Sequence, residues 1–175
     1  MNYIYNLVKY STNLFKRWIQ YYIPTRQIQY RQIQYRQKKR VMVSCDIIID
    51  VQGKILLIER GNPPYKGCWA FPGGKIDVDD PDIISAALRE LKEETNIILN
   101  KNDLVCLKYV GNNERDPRGF TVSFVFYYKS DIIPKGIKAG DDAVNCVLFG
   151  RTDLPCRLAF DHKDILLDYF DKIYQ

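Results

Sequence analysis

Apolar residues recur every three or four positions over residues 3–23. Ile4, Leu7, Val8, Phe15, Trp18, Ile19 and Tyr22 share one stripe, with Ser11 in its gap. That spacing predicts a helix, and Pro24 ends it near Ile23. The pattern then breaks. The unit Arg-Gln-Ile-Gln-Tyr occurs twice between Arg26 and Arg40. A period of five fits neither a strand nor a helix, so Ile28 and Ile33 fall on different faces of either. The stretch reads as a low-complexity basic linker.

From Val41 onward the pattern is that of a folded domain. Residues 41–50 and 54–60 predict a strand pair joined across Val51-Gln52-Gly53. Residues 61–67, rich in Gly and Pro, predict a loop, and 68–72 a short strand running into Gly73-Gly74. Asp80 is placed to cap the next helix, with Pro81 at its first position and Ile84, Ala87, Leu88 and Leu91 as its core stripe. Further strands are predicted at 104–111, 120–129 and 143–149, with Val122, Phe124 and Phe126 on one face of the second. A closing helix follows Asp161 as cap, with Ile165, Leu166, Tyr169, Phe170 and Ile173 on its apolar side. Strands around one helix, with another at the end, predict a mixed α/β layered sandwich over 41–175, preceded by an arm at 1–40.

Charge sharpens that division. Residues before Asp46 hold nine Lys or Arg and no acid, and the remainder carries 17 basic against 21 acidic residues. The net charge of +5 therefore belongs to the arm, and it does not make the domain a nucleic-acid binder. Three roles fit the arm helix: packing on the domain or a partner, lying on a membrane surface, or serving as an acid-free targeting peptide of mitochondrial type. The linker could meet RNA or anionic lipid, or stay solvated. No run of about 18 apolar residues predicts a membrane span. Five cysteines, an odd number without C-x-x-C spacing, argue against a disulfide framework and a zinc knuckle. They suit a reducing, intracellular and cytoplasmic setting.

The central helix carries the candidate chemistry. On a wheel with Leu91 facing the core, Glu94, Glu90 and Glu93 fan over about 100° from the edge of the buried face. Arg89 lies four residues before Glu93, so the two can pair. Like charges at these spacings repel, and a hard divalent cation reverses the sign. All-oxygen ligands suit Mg²⁺ or Mn²⁺. A solvated polar face is the competing reading. The tight Gly73-Gly74 turn just before the helix, where backbone can approach a ligand closely, weighs against it.

The segment Gly74 to Ile97 resembles the Nudix box, G-x5-E-x7-R-E-U-x-E-E-x-G-U with U aliphatic. Gly74 opens it, Asp80 takes the first acid position, and Arg89-Glu90-Leu91-Lys92-Glu93-Glu94-Thr95-Asn96-Ile97 completes it. Two departures stand out. Eight residues rather than seven separate Asp80 from Arg89, a form similar to coenzyme A-type members. Asn96 replaces the last Gly, and Asn is the next most tolerant residue at a left-handed helix end. The resemblance implies a Nudix-type α/β/α sandwich with a mixed central sheet. It implies hydrolysis of a nucleoside diphosphate linked to another moiety, using Mg²⁺, with Mn²⁺ as a substitute, and water. Carried over by position, Glu90, Glu93, Glu94 and the Gly73 carbonyl are metal ligands, and Arg89 orients a glutamate. The base is Glu90 or a later acid, Asp141 or Asp142.

Four flanking stretches, 60–74, 115–126, 139–144 and 158–166, resemble the ADP-ribose pyrophosphatase branch. They make Arg60, Gly74, Arg115, Arg118, Asp141 and His162 the expected substrate contacts. Plainer roles compete: Arg115 with Asp116 shaping the Pro117 turn, Asp141 and Asp142 as turn residues, and His162 as a helix-start residue. A nucleotide substrate is the expected partner, and a homodimer is compatible with the branch. Coenzyme A or oxidised-nucleotide and cap hydrolysis stay open, as does a non-catalytic ADP-ribose sensor.

Overall fold

A computed structural model describes residues 41–174, so the expectations for the arm lie outside the described residues. The strand β1 (Met42–Val51) organises the sheet. It runs parallel to β6 (Thr121–Ser130) along its whole length, from Met42 opposite Thr121 to Val51 opposite Ser130. On its other side β1 changes partner. Its last residues pair antiparallel with β2 (Lys54–Arg60), and its earlier ones, Ser44 to Asp46, with β4 (Gly73–Lys75). β2 also pairs with β3 (Trp69–Ala70) and with β7 (Ala143–Gly150), while β5 (Val105–Asn112) closes the far edge against β6. The β1–β2 turn uses Gln52 and Gly53, both at positive φ, a backbone whose twist matches the flanking strands.

Alternation along β1 assigns the two layers. Cys45, Ile47, Ile49 and Val51 pack with Ala86, Ala87 and Leu91 of helix α1 (Ile83–Thr95). Ile48 packs on the opposite face with Ile165, Leu166 and Tyr169 of helix α2 (His162–Ile173). The result is the expected α/β/α sandwich around a mixed sheet. Two aspartates, Asp46 and Asp50, share the α2 face of β1 and are buried. A buried carboxylate needs hydrogen-bond donors. Asp50 accepts from Gly53 N at 3.1 Å and from the hydroxyls of Tyr169, at 2.8 Å, and Tyr174, which fastens the end of α2 to the sheet.

One expected helix cap is corrected, and the other, Asp161, holds its position without a side-chain bond. α1 starts two residues later than predicted, capped by Asp82, whose carboxylate accepts from Ser85 N at 2.8 Å. Asp80 closes its own turn with Asp77 and gives both oxygens to Arg89. Pro81 and Asp82 therefore lie between this turn and the helix, in the stretch that holds the extra residue before Arg89. Asp161 makes no side-chain cap to α2, because its carboxylate is held by Arg115. At the other end of α1 the expectation holds: Asn96 is left-handed, with φ 59°, and its N–H returns to Lys92 O at 2.8 Å.

Candidate active site

The cleft forms where β1 exchanges β2 for β4, a cavity of about 510 Å³ lined by residues from every element that meets there. Gly73 and Gly74 form its floor. Gly73 has φ 148°, and a Cβ on it would collide with the Cys45 carbonyl. A Cβ on Gly74 would stand 2.5 Å from the Glu90 carboxylate. Glycine is required at the first position by its backbone, and at the second it lets the Glu90 carboxylate lie directly on the floor.

Three glutamates of α1 reach this floor to different depths. Glu93 is the outermost, its side chain 44% exposed. Glu90 is largely buried, and burial pushes its pKa up despite the adjacent Arg89. Glu94 is only 5% exposed. Its Oε2 accepts one backbone hydrogen bond, from Gly73 N at 2.8 Å, and burial still pushes its pKa up to about 8. Arg89 joins the outer acids. It donates to Glu90 at 2.9 Å, to Glu93 at 3.1 Å, and to Asp80 through two nitrogens. Asp80 is held below the usual carboxylate range by those Arg89 bonds.

Among the described residues, no three acidic, histidine or cysteine side chains converge as a ready-made metal cluster. Arg89 draws Glu90 and Glu93 to itself, and Glu94 turns to Gly73. The donor set still fits a hard divalent cation. It is all oxygen, and its deepest member is a buried carboxylate whose pKa burial pushes up to about 8.

The loop before β7 docks on the same helix. Gly140 N donates to Glu94 O at 3.1 Å, and a Cβ at Gly140 would meet Glu93 O at 2.6 Å. This brings Asp141 and Asp142 to the cleft, where Asn62 Nδ2 donates to Asp142 at 2.6 Å. Cations line the other wall. Arg60 is fixed through Nε on Pro64 O at 2.9 Å, and its guanidinium lies 5.0 Å over the Phe160 ring. Arg118 is gripped by Asp116 through Nε and Nη2 while its side chain stays 42% exposed to the cleft.

Arg115 and His162 also line the cleft, and both bond to protein groups around it. The Arg115 side chain is 4% exposed and binds Asp161 through Nε and Nη2, at 3.0 and 2.8 Å, and Asp46 through Nη2 at 3.0 Å. His162 Nδ1 accepts from Phe71 N at 3.0 Å, and Nε2 stands 3.4 Å from Asp46 Oδ1. Both were expected at the ligand, and the structure engages both with protein. Sequence reading overlooked Asp46, Asp116, Asp161 and Phe160 as site-shaping residues. Asp46 did carry a signal, an acid inside the otherwise apolar run 45–49.

Comparison with known proteins agrees with this geometry. The family model for the NUDIX domain matches residues 38–169. An ADP-ribose pyrophosphatase of Methanocaldococcus jannaschii is 44% identical over 127 residues, 73% of this chain and 72% of that protein. The ADPR responsive transcriptional repressor NtrR of Acinetobacter baylyi is 34% identical over 70% of this chain, which spans only 48% of the repressor. Among solved structures, a bifunctional NMN adenylyltransferase/ADP ribose pyrophosphatase of Francisella tularensis, complexed with AMP and a Mn ion, superposes with a TM-score of 0.68 at 31% identity. That match covers 77% of this chain and 42% of the bifunctional enzyme.

Proposed function

The chain belongs to the Nudix family of hydrolases, and we propose on that premise that it cleaves the pyrophosphate of ADP-ribose or a closely related nucleoside diphosphate derivative. The observation that carries the reading is the buried, charge-starved Glu94 beside Glu90 on the Gly73-Gly74 floor. A divalent cation bound there would favour the ionised form of that carboxylate.

Glu90, Glu93, Glu94 and the Gly73 carbonyl would hold the divalent ion, Mg²⁺ or Mn²⁺. Bound there, it supplies Lewis-acid polarisation of a phosphoryl oxygen and a lowered pKa for coordinated water. The chain's own residues do the rest. Arg89 restrains Glu90 and Glu93 until ligands arrive, and Asp80 anchors Arg89. Arg60 and Arg118, across the cleft, face the phosphates with guanidinium groups already oriented by Pro64 O and Asp116. In this reading Asp142, steadied by Asn62, or Glu90 would take the proton from water.

Similarity to the ADPR responsive repressor supports a second reading, a sensor that binds ADP-ribose without cleaving it. The full set Arg89, Glu90, Glu93 and Glu94 favours turnover. A panel of ADP-ribose, NADH, coenzyme A and nucleoside triphosphates with Mg²⁺, read by product identity, decides. AMP and ribose 5-phosphate from ADP-ribose support the hydrolase. A melting shift with ADP-ribose and no product supports the sensor. Preferred cleavage of coenzyme A would move the chain to that branch.

A further inference from the structure

The segment Trp69 to Gly73 delivers the glycine floor to the glutamates, and its backbone bonds can be followed one by one. Trp69 N donates to Arg157 O at 3.0 Å, and Trp69 O accepts from Ala159 N at 2.7 Å. Pro72 O accepts from Ile47 N at 2.9 Å, and Gly73 N reaches Glu94. Ala70 sits in the ladder opposite Ile58, and Phe71 N has a side chain for its partner, Nδ1 of His162 at 3.0 Å. The acceptor lies 91 residues away and is 1% exposed. Its ring stacks on Phe71, with centroids 4.6 Å apart and planes 19° from parallel.

His162 is itself held from behind. Since Nδ1 accepts, the ring proton sits on Nε2, which has no hydrogen-bond partner and faces Asp46 Oδ1 at 3.4 Å. The other oxygen of Asp46 accepts from Arg115 at 3.0 Å and from the Ser123 hydroxyl at 2.6 Å. Arg115 binds Asp161, the residue before His162. The two Arg115 ion pairs, the chain step from Asp161 to His162 and the approach of His162 to Asp46 complete a ring that spans β1, the loop before β6 and the start of α2. Asp46 is also the register partner of Gly73. The ring therefore grips the floor strand from both sides, through Asp46 across the sheet and His162 at Phe71.

We infer that Asp46, Arg115, Asp161 and His162 are positioning residues that set the glycine floor against the glutamate helix and touch neither cation nor nucleotide. The inference rests on the hydrolase reading for its consequence in metal binding. Second-layer partners of this kind commonly influence affinity as strongly as ligands do.

Three substitutions separate the two ring nitrogens. His162→Asn keeps an acceptor near the place of Nδ1. His162→Gln keeps a donor near the place of Nε2 and offers nothing to Phe71. His162→Ala removes both. Two quantities are measured on the full chain: hydrogen exchange at the Phe71 amide, and Mn²⁺ binding without nucleotide from the free-ion paramagnetic resonance signal. The Gln and Ala variants should speed Phe71 exchange and weaken Mn²⁺ binding by about tenfold or more, while Asn stays within about threefold of the parent. KM for ADP-ribose should hold in all three. Equal behaviour of Asn and Gln overturns the inference, and so does a raised KM with Mn²⁺ binding unmoved, which would put His162 on the nucleotide. If the Ala variant fails to fold, the Asn–Gln contrast decides alone. A parent chain that neither takes up Mn²⁺ nor turns over ADP-ribose defeats the hydrolase reading instead, and Phe71 exchange still tests the coupling.

Discussion

Two buried carboxylates on opposite faces of one sheet behave in opposite ways. Asp46, on the α2 face, is 8% exposed, and Glu94, on the α1 side, is 5% exposed. Burial alone raises both pKa values. For Asp46 that push is overcome, with Arg115 and the Ser123 hydroxyl bonded to it, and its carboxyl is held far below the usual range. For Glu94 one backbone N–H is too little, and its pKa rises to about 8. Depth does not separate a structural acid from a functional one. The number of donors does. An acid whose donors all come from the protein is finished, and one left short is completed by something else.

Substitution gives the largest contrast. Asp46→Ala strands Arg115 as a buried, half-paired charge and leaves the Ser123 hydroxyl without its acceptor, so unfolding in urea should show a loss of about 3–5 kcal/mol. Glu94→Gln keeps an acceptor for Gly73 N and replaces a buried carboxyl with a neutral amide of similar shape. It should leave stability within about 1 kcal/mol of the parent when a chelator is present. Comparable losses in the two variants would erase the distinction.

Acidity sharpens the same comparison with a smaller effect. Between the ordinary glutamate value of 4.5 and about 8, the folded chain binds a proton at Glu94 that the unfolded chain releases. In chelator this group's contribution therefore falls as pH rises through that window. Asp46 runs the other way. Its contribution is present above the ordinary aspartate value of 3.8 and is lost as pH falls toward its lower folded value. Melting curves in EDTA should show both slopes, and Glu94→Gln should flatten only the upper one.

The smallest effect probes the ground between the two acids. Cys45 lies there, and burial pushes its thiol up to about 12. Alkylation at pH 8 should mark exposed Cys106 and Cys156 quickly and leave Cys45 unmodified until the chain unfolds. Rapid labelling of Cys45 would mean that water reaches this interior and that the opposed shifts are not due to burial.

Much of this arrangement was legible in the residues. Periodicity placed every major strand of the domain and both helices, because each buries one stripe or, for β1, two faces. Asn96 was readable as a left-handed end because the demand there is local. The misreadings have one cause, competition from far along the chain. Asp80 and Asp161 stand where caps belong, but Arg89, nine residues on, and Arg115, 46 residues back, claim their carboxylates. Arg115 and His162 were expected at the cleft because charge and a lone histidine suggest it, and both line it. Nothing in the order of residues announces that Asp46, 69 positions before Arg115, waits behind them.

The account stands or falls on Glu94. ADP-ribose is incubated with the parent chain and with Glu94→Gln, each with Mg²⁺ and with EDTA, and AMP and ribose 5-phosphate are quantified. The account predicts product only from the parent with Mg²⁺, and a loss of at least about 100-fold in the variant despite an unchanged melting temperature in EDTA. Turnover by the variant near the parent rate, or parent turnover that survives EDTA, would contradict it.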